Sequence, residues 1–231
     1  MTTEQHVAAA IESIGLGRVY GDVTALQPID LTVPAGQRLA LIGHNGSGKT
    51  TLIRMLAGLL DPSVGTANIV GHAAGSLEAR AALSYLADQP VFYDDLSVLE
   101  HLEYVARLHG RRQWTDVADD LLERFAITDR ADHLPSTLSR GLKQKAAICL
   151  AFVRPFDVLV VDEPFVGLDS DGRYELLALF DDVHEMGKTV LVATHELTTV
   201  AASERVVALT DGQIAYDGSP DTDLSALVDG T

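Results

Sequence analysis

The sequence predicts an α/β fold organised around a phosphate-binding loop, and three observations carry that reading. Gly43-His44-Asn45-Gly46-Ser47-Gly48-Lys49-Thr50 fits the pattern G-x-x-x-x-G-K-[ST]. It lies between an apolar run, Leu39–Ile42, that reads as a buried strand and a segment, Thr51–Leu60, that reads as a helix. Two further apolar runs, Val158–Val161 and Thr189–Thr194, have the uninterrupted character of parallel strands covered on both faces. Between loop and runs, from Leu96 to about Arg154, the texture is helical.

The residue types of the loop follow from what a triphosphate needs. Gly43, Gly46 and Gly48 let the backbone curl until several N–H groups point inward. A helix beginning near Lys49 adds its N-terminal dipole. Lys49 supplies a point charge to the β- and γ-phosphates, and the Thr50 hydroxyl can ligate Mg²⁺.

Taken in order, residues 11–42 read as short strands separated by turns, with Val19-Tyr20 ending at Gly21-Asp22 and Val23–Leu26 leading through Pro28 to the alternating run Ile29–Val33. Tyr20 could stack on a purine, although a lone Tyr near a strand end more often belongs to the core or rim. Residues 61–72 read as a turn and a short strand. Leu83–Ala87 reads as another strand, ending at Asp88-Gln89-Pro90, where Gln89 could reach a metal or an attacking water. Ser97-Val98-Leu99-Glu100 fits a capping box. Leu99, Leu102, Val105, Ala106 and Leu108 then repeat at helical spacing, as do Val117, Leu121, Leu122 and Phe125. Ser139 stands at the N-cap position of an apolar helix that stops at Arg154-Pro155; a helix start of this kind is an anion site or simply a capped helix.

Val158–Val161 delivers Asp162 and Glu163 to the carboxyl end of a strand, where ligands of open α/β sheets bind. Neighbouring side chains on an extended strand point apart. One metal-facing acid, Asp162, and one water-polarising acid, Glu163, therefore suit the pair better than two metal ligands, unless the chain bends. His195 ends the next apolar run and could hydrogen-bond a γ-phosphate. Val206–Leu209 and Gln213–Ala215, joined through Asp211-Gly212, read as a closing hairpin, and the tail from Thr222 as a short helix or frayed end.

Bulk properties narrow the function. With 17 Lys and Arg against 33 Asp and Glu the net charge is −16, which disfavours nonspecific binding to nucleic acid. The single cysteine, Cys149, allows no intrachain disulfide, reads as a buried small hydrophobe and suits a reducing cytosol. No basic segment precedes an apolar core at the N-terminus, so no signal peptide is expected. No apolar run approaches the ~18 residues of a membrane span, and a membrane role would come through a partner. No His pair has metal-ligand spacing.

In this order the residues resemble the nucleotide-binding subunit of ATP-binding-cassette (ABC) transporters, over about Ile14 to Pro220. Tyr20 is similar to the aromatic that stacks on adenine, Gly43–Thr50 to the Walker A loop, and Gln89 to the Q-loop glutamine. Leu138–Lys145 looks like the signature motif, Val158–Glu163 like Walker B with its catalytic Glu, Gly167-Leu168-Asp169 like the D-loop, and His195 like the switch histidine. The resemblance implies a single domain, 1–231, with a P-loop NTPase core of mixed or parallel sheet and an N-terminal antiparallel β subdomain (residues 11–90 and 155–220). A helical subdomain (about 91–154) is inserted in it. It implies ATP contacts from Tyr20, Gly43, Asn45, Gly46, Ser47, Gly48, Lys49, Thr50 and Thr51. Ser139 and Gly141 would contact the γ-phosphate across a head-to-tail dimer of such domains, expected to be a homodimer. It implies Mg²⁺ on Thr50, Asp162 and Gln89, and catalysis by Glu163, His195 and Gln89. The partner implied is a separate transmembrane permease subunit, with the chain peripheral on the cytoplasmic face of the membrane and no nucleic acid bound. The signature departs from Leu-Ser-Gly-Gly-Gln, with Arg140 for Gly and Leu142 for Gln; this form resembles ATPase subunits of certain exporters. Two rivals follow. A DNA-repair or chromosome-organising member would carry a long coiled coil, whereas only about 110 residues separate Walker A from Walker B here. A regulatory or scaffolding module would not need the intact Glu163 and His195.

Overall fold

The computed structural model describes residues 8–221; His6 and the tail from Thr222 lie outside them. In chain order the strands are β1 (Ala9–Tyr20), β2 (Val23–Pro34), β3 (Arg38–Ile42), β4 (Val64–Ile69), β5 (His72–Ala73), β6 (Leu83–Leu86), β7 (Val158–Asp162), β8 (Thr189–Ala193), β9 (Arg205–Thr210) and β10 (Gln213–Gly218). The helices are α1 (Lys49–Leu56), α2 (Leu77–Ala82), α3 (Val98–Leu108), α4 (Thr115–Arg124), α5 (Arg140–Val153), α6 (Ser170–Glu185) and α7 (Leu197–Ala201).

An antiparallel sheet, β2-β1-β4-β5, packs beside a six-stranded sheet of order β10-β9-β3-β8-β7-β6. The second sheet is parallel except for the closing β9–β10 hairpin. Where the sequence predicts several short strands over 11–42, the structure has two of 12 residues each ahead of the five-residue β3. The reason is bulging. An extra residue on β1 between Ser13 and Leu16 is accommodated with the Gly15 N–H donated to Asp30 Oδ1 at 2.6 Å. An extra residue on β2 falls at Gln27–Pro28, and the Gln27 N–H turns to the Gly212 carbonyl at 2.8 Å. A proline that reads as a break therefore sits in a bulge while the ladder continues past it.

The apolar runs are covered on both faces, as their continuity requires. Along β7, Val158 and Val160 pack with α1 and the antiparallel sheet, whereas Leu159 and Val161 pack with α3 to α6. The helical segment shares that second core with the sheet, and Arg124 of α4 pairs with Glu175 (3.1 Å) and Asp182 (2.8 Å) of α6. α3 begins with the expected capping box, in which Ser97 and Glu100 satisfy each other's backbone N–H. α1 ends at Leu56, four residues before the sequence reading. Gly58 N–H bonds the Met55 carbonyl and Leu59 N–H the Arg54 carbonyl, a Schellman stop. Cys149 is fully buried, its thiol bonds the Leu121 carbonyl (3.6 Å), and burial pushes its pKa up.

α6 and α7 are not legible in the apolar pattern. α6 is rich in acids on its outer face and mixes small and polar residues among Leu176, Leu179, Phe180 and Val183. Its signal is the cap: Asp169 Oδ1 accepts the Gly172 N–H at 2.8 Å.

Candidate functional site

β3, β8 and β7 are adjacent and parallel, so their carboxyl ends bring three segments into one row: the loop after Ile42, Thr194-His195 after Ala193, and Asp162-Glu163. Gly43 leaves β3 at φ 144°, in space where a Cβ would run into the Leu209 carbonyl and Ser47 Oγ. Glycine alone fits that corner. Gly48 then caps α1 in the left-handed conformation, φ 105°. A cavity of about 360 Å³ opens above the loop, walled by Asn45 through Thr51, Ala25, Asp88, Asp162 and Glu163.

Lys49 is 7% exposed. Its ammonium donates to the Gly43 carbonyl at 2.6 Å and the His44 carbonyl at 3.3 Å. Burial lowers its pKa, and Glu163 and then Asp162 oppose the shift. Asp162 is 1% exposed, and Oδ1 is buried with no hydrogen-bond partner. Burial raises its pKa, while a hydrogen bond from Thr50 and the charge of Lys49 pull it down. Ser47 Oγ is a second buried oxygen without a partner. Orphaned buried acceptors are costly, roughly 1–3 kcal/mol each, so their concentration beside a buried ammonium marks a site that a ligand completes.

Glu163 stands at φ 45°, just past the end of β7, with its N–H on the Ala193 carbonyl at 2.9 Å. The chain does bend here, the circumstance under which both acids can face the same cavity. Both line it. Glu163 Oε2 meets His195 Nδ1 at 2.9 Å; burial raises the Glu163 pKa, and His195 and Lys49 oppose this. His195 is exposed and reaches the cavity through Glu163.

Not every residue singled out in the sequence is gathered here. Gln89 is exposed and does not line the cavity, whereas Asp88 does. Both residues lie in the bend beyond the end of β6, where Asp88 takes the wall and Gln89 stays exposed. Asp88 also raises the pKa of Asp162. The sequence reading missed it, although an acid just past the end of β6 satisfies the strand-end rule that found Asp162. Tyr20 is 46% exposed and lies outside the cavity wall.

Ser139 and Gly141 are likewise away from this cavity. Ser139 is exposed and caps α5, accepting the Leu142 N–H at 3.3 Å. Gly141 lies so close to the segment after β7 that a Cβ would stand 2.6 Å from the Gly167 carbonyl oxygen. Gln144 donates to the Pro164 carbonyl at 3.0 Å, and Lys145 pairs with Asp169 at 2.9 Å, holding its carboxyl below the usual range. The start of α5 is thus fastened to the loop leaving Glu163.

Mg²⁺ fits the donor set. Among the described residues no three His, Cys, Asp or Glu side chains form a metal cluster. Mg²⁺ commonly takes one or two carboxylates, with waters and substrate phosphates completing the octahedron. Asp162, with its unpartnered buried oxygen, and the Thr50 hydroxyl beside it meet that description.

Residues 26–166 match the model of the family described as ABC transporter. The chain is 36% identical over 221 residues to the macrolide export ATP-binding/permease protein MacB of Rhodopseudomonas palustris, an overlap of 90% of this chain and 34% of that one. It spans about a third of the length of the curated relatives it matches. A solved ATP binding subunit of an ABC transporter superposes with a TM-score of 0.85 at 29% identity, covering 91% of this chain and 90% of the other. A bacterial ABC transporter cassette solved as a dimer superposes with a TM-score of 0.83 at 25% identity, covering 92% and 99%. By motif order, fold and sequence, the chain belongs to the ABC transporter family.

Proposed function

We propose that this chain is the ATP-hydrolysing subunit of an exporter, working as a head-to-tail pair of identical domains beneath a separate membrane protein. The observation that carries the reading is the single cavity where the glycine loop, Lys49, Thr50, Asp162 and Glu163 converge.

In this reading the loop N–H groups from Asn45 to Thr51 and the start of α1 hold the β- and γ-phosphates. Lys49 exchanges the Gly43 carbonyl for phosphate oxygen. Asp162 and Thr50 hold Mg²⁺, which supplies charge neutralisation across the phosphates when bound. Glu163 orients and polarises the attacking water, and His195 fixes the Glu163 carboxylate and contacts the γ-phosphate. Gln89, next to Asp88 of the cavity wall but outside the wall itself, closes on the site when the domains pair, and Tyr20 stacks on adenine. Ser139 and Gly141, outside the cavity wall of their own chain, serve the γ-phosphate of the second copy. The dimer-forming and exporting behaviour printed for relatives supports this reading.

No helix among the described residues is long and apolar enough to cross a membrane; in this reading the permease is a separate chain. A groove of about 440 Å³ between edge strand β6, α3 and α5, with Leu59, Val91 and Leu108 exposed along it, is the surface assigned to that partner. In this reading the chain sits beneath that partner, on the cytoplasmic face of the membrane. The test is to purify the tagged chain from solubilised membranes of its own cell. A stoichiometric multi-span protein and Mg²⁺-dependent ATPase activity are expected; recovery with soluble proteins only would replace export by a regulatory role.

A further inference from the structure

Outside the phosphate cavity, one basic residue is placed in an unusual way. Arg18 and Tyr20 are two apart on β1 and so share a face. The Arg18 guanidinium lies over the Tyr20 ring, 4.5 Å from its centroid. Its Nη1 donates to the Asp61 carbonyl at 2.9 Å, and its Nε is buried without an acceptor. In a chain with 33 acidic residues, Arg18 pairs with no carboxylate among the described residues, and its planar head is spent on a ring and a carbonyl.

The carbonyl it holds is also informative. Asp61 lies just beyond α1, the helix that starts in the phosphate loop. The same turn is stitched to β1 three times more, by Ser63 N–H to the Gly17 carbonyl (2.8 Å), Val19 N–H to Ser63 Oγ (3.1 Å) and Ser63 Oγ to the Val19 carbonyl (3.4 Å). Arg18 thus links an aromatic ring on one sheet to the turn that follows the helix carrying Lys49 and Thr50.

We infer that Arg18 is a positioning residue for the nucleotide base: it occupies one face of Tyr20, leaving the other for a purine, and fixes that platform at a set distance from the phosphate loop. The inference rests on the reading that Tyr20 stacks on adenine. Two physical effects act together. A guanidinium against one face restricts the ring's rotamers before the base arrives, lowering the ordering cost of binding. It also draws electron density from the ring, which reduces π–π repulsion with the base on the opposite face.

The test compares Mg²⁺–ATP with Mg²⁺–tripolyphosphate, which has the phosphates and no base, by calorimetry on the full chain. The variants are Arg18→Gln, Arg18→Lys, Tyr20→Ala and the double variant Arg18→Gln/Tyr20→Ala. Tyr20→Ala is expected to weaken ATP about tenfold, as loss of one base stack does, and to leave tripolyphosphate unchanged. Arg18→Gln, which can keep the bond to Asp61, should weaken ATP about 3- to 5-fold without changing tripolyphosphate, and Arg18→Lys should recover part of the loss. On the Tyr20→Ala background Arg18→Gln should have no further effect. Equal losses for both ligands, an undiminished Arg18 effect without Tyr20, or no Arg18 effect where Tyr20→Ala still weakens ATP would each overturn the role of Arg18. Unchanged ATP affinity in Tyr20→Ala would remove the stacking reading itself, and the inference with it.

Discussion

The phosphate loop and the start of α5 both offer the N-terminus of a helix, both are flanked by lysine, and both adjoin the exit of β7. At the loop, Lys49 and Asp162 are buried, and unpartnered oxygens face a cavity. At α5, Ser139 and Arg140 are exposed, the Ser139 hydroxyl is already used by its own helix, and Lys145 is paired with Asp169. One region has the desolvated charge and unsatisfied groups of half a binding site. The other is exposed, already hydrogen-bonded within its own chain and packed tightly against the loop after β7, and in the proposed reading it closes over the cavity of a second copy. Electrostatic stabilisation of a ligand is strong where water is excluded. A site built this way gains most when the second region of another copy closes over the first.

The largest effect expected is on the buried side of this comparison. Lys49→Ala should reduce ATP affinity by about 100-fold or more, because a desolvated charge-assisted contact to phosphate is lost; isothermal titration reads it directly. Unchanged affinity would move the anion site elsewhere. Glu163→Gln should retain ATP while turnover falls by roughly 10²- to 10⁴-fold, the range of a lost general base. A phosphate-release assay beside the same titration separates the two quantities.

The exposed side should respond through packing. Gly141→Ala places a Cβ 2.6 Å from the Gly167 carbonyl oxygen, and the overpacking should cost about 1–3 kcal/mol in urea unfolding. A variant as stable as the parent would mean that α5 and the loop after β7 are free to separate. The smallest effect concerns Lys145–Asp169. The Asp169 carboxyl is held below its ordinary 3.8 by Lys145. A depressed acid stabilises the fold above the unfolded pKa and loses that contribution as pH falls through the folded one. Lys145→Met should therefore be less stable at neutral pH, and the difference should fade below about pH 4. Because the Asp169 side chain is 60% exposed, the difference at neutral pH stays under about 1 kcal/mol.

The same contrast explains what could be read before the structure. The loop, Asp162 and Glu163 are legible because their motifs sit at strand ends, where the apolar runs of β3 and β7 announce themselves. The caps Ser97 and Ser139 are legible because their partners lie three residues away in sequence. The rest is hidden where structure depends on distant backbone. Gln27–Pro28 bulges because Gly212 accepts the Gln27 N–H. Glu163 takes a left-handed φ that no local pattern requires. Asp88 takes the cavity wall that Gln89 was expected to hold. The partner of Tyr20 was also missed, since a guanidinium over a ring leaves no mark beyond an i, i+2 spacing.

The central claim is that the cavity at β3 and β7 is half of a site completed by α5 of a second copy. It is tested most directly by light scattering of Glu163→Gln with ATP or ADP, alone and combined with Ser139→Asp. Aspartate still caps a helix but would set a negative charge against the partner's γ-phosphate. The account expects Glu163→Gln to run at twice the monomer mass with ATP and as a monomer with ADP, and the double variant to stay monomeric while binding ATP. An ATP-saturated Glu163→Gln that remains a monomer, or a dimer indifferent to Ser139→Asp, would contradict it.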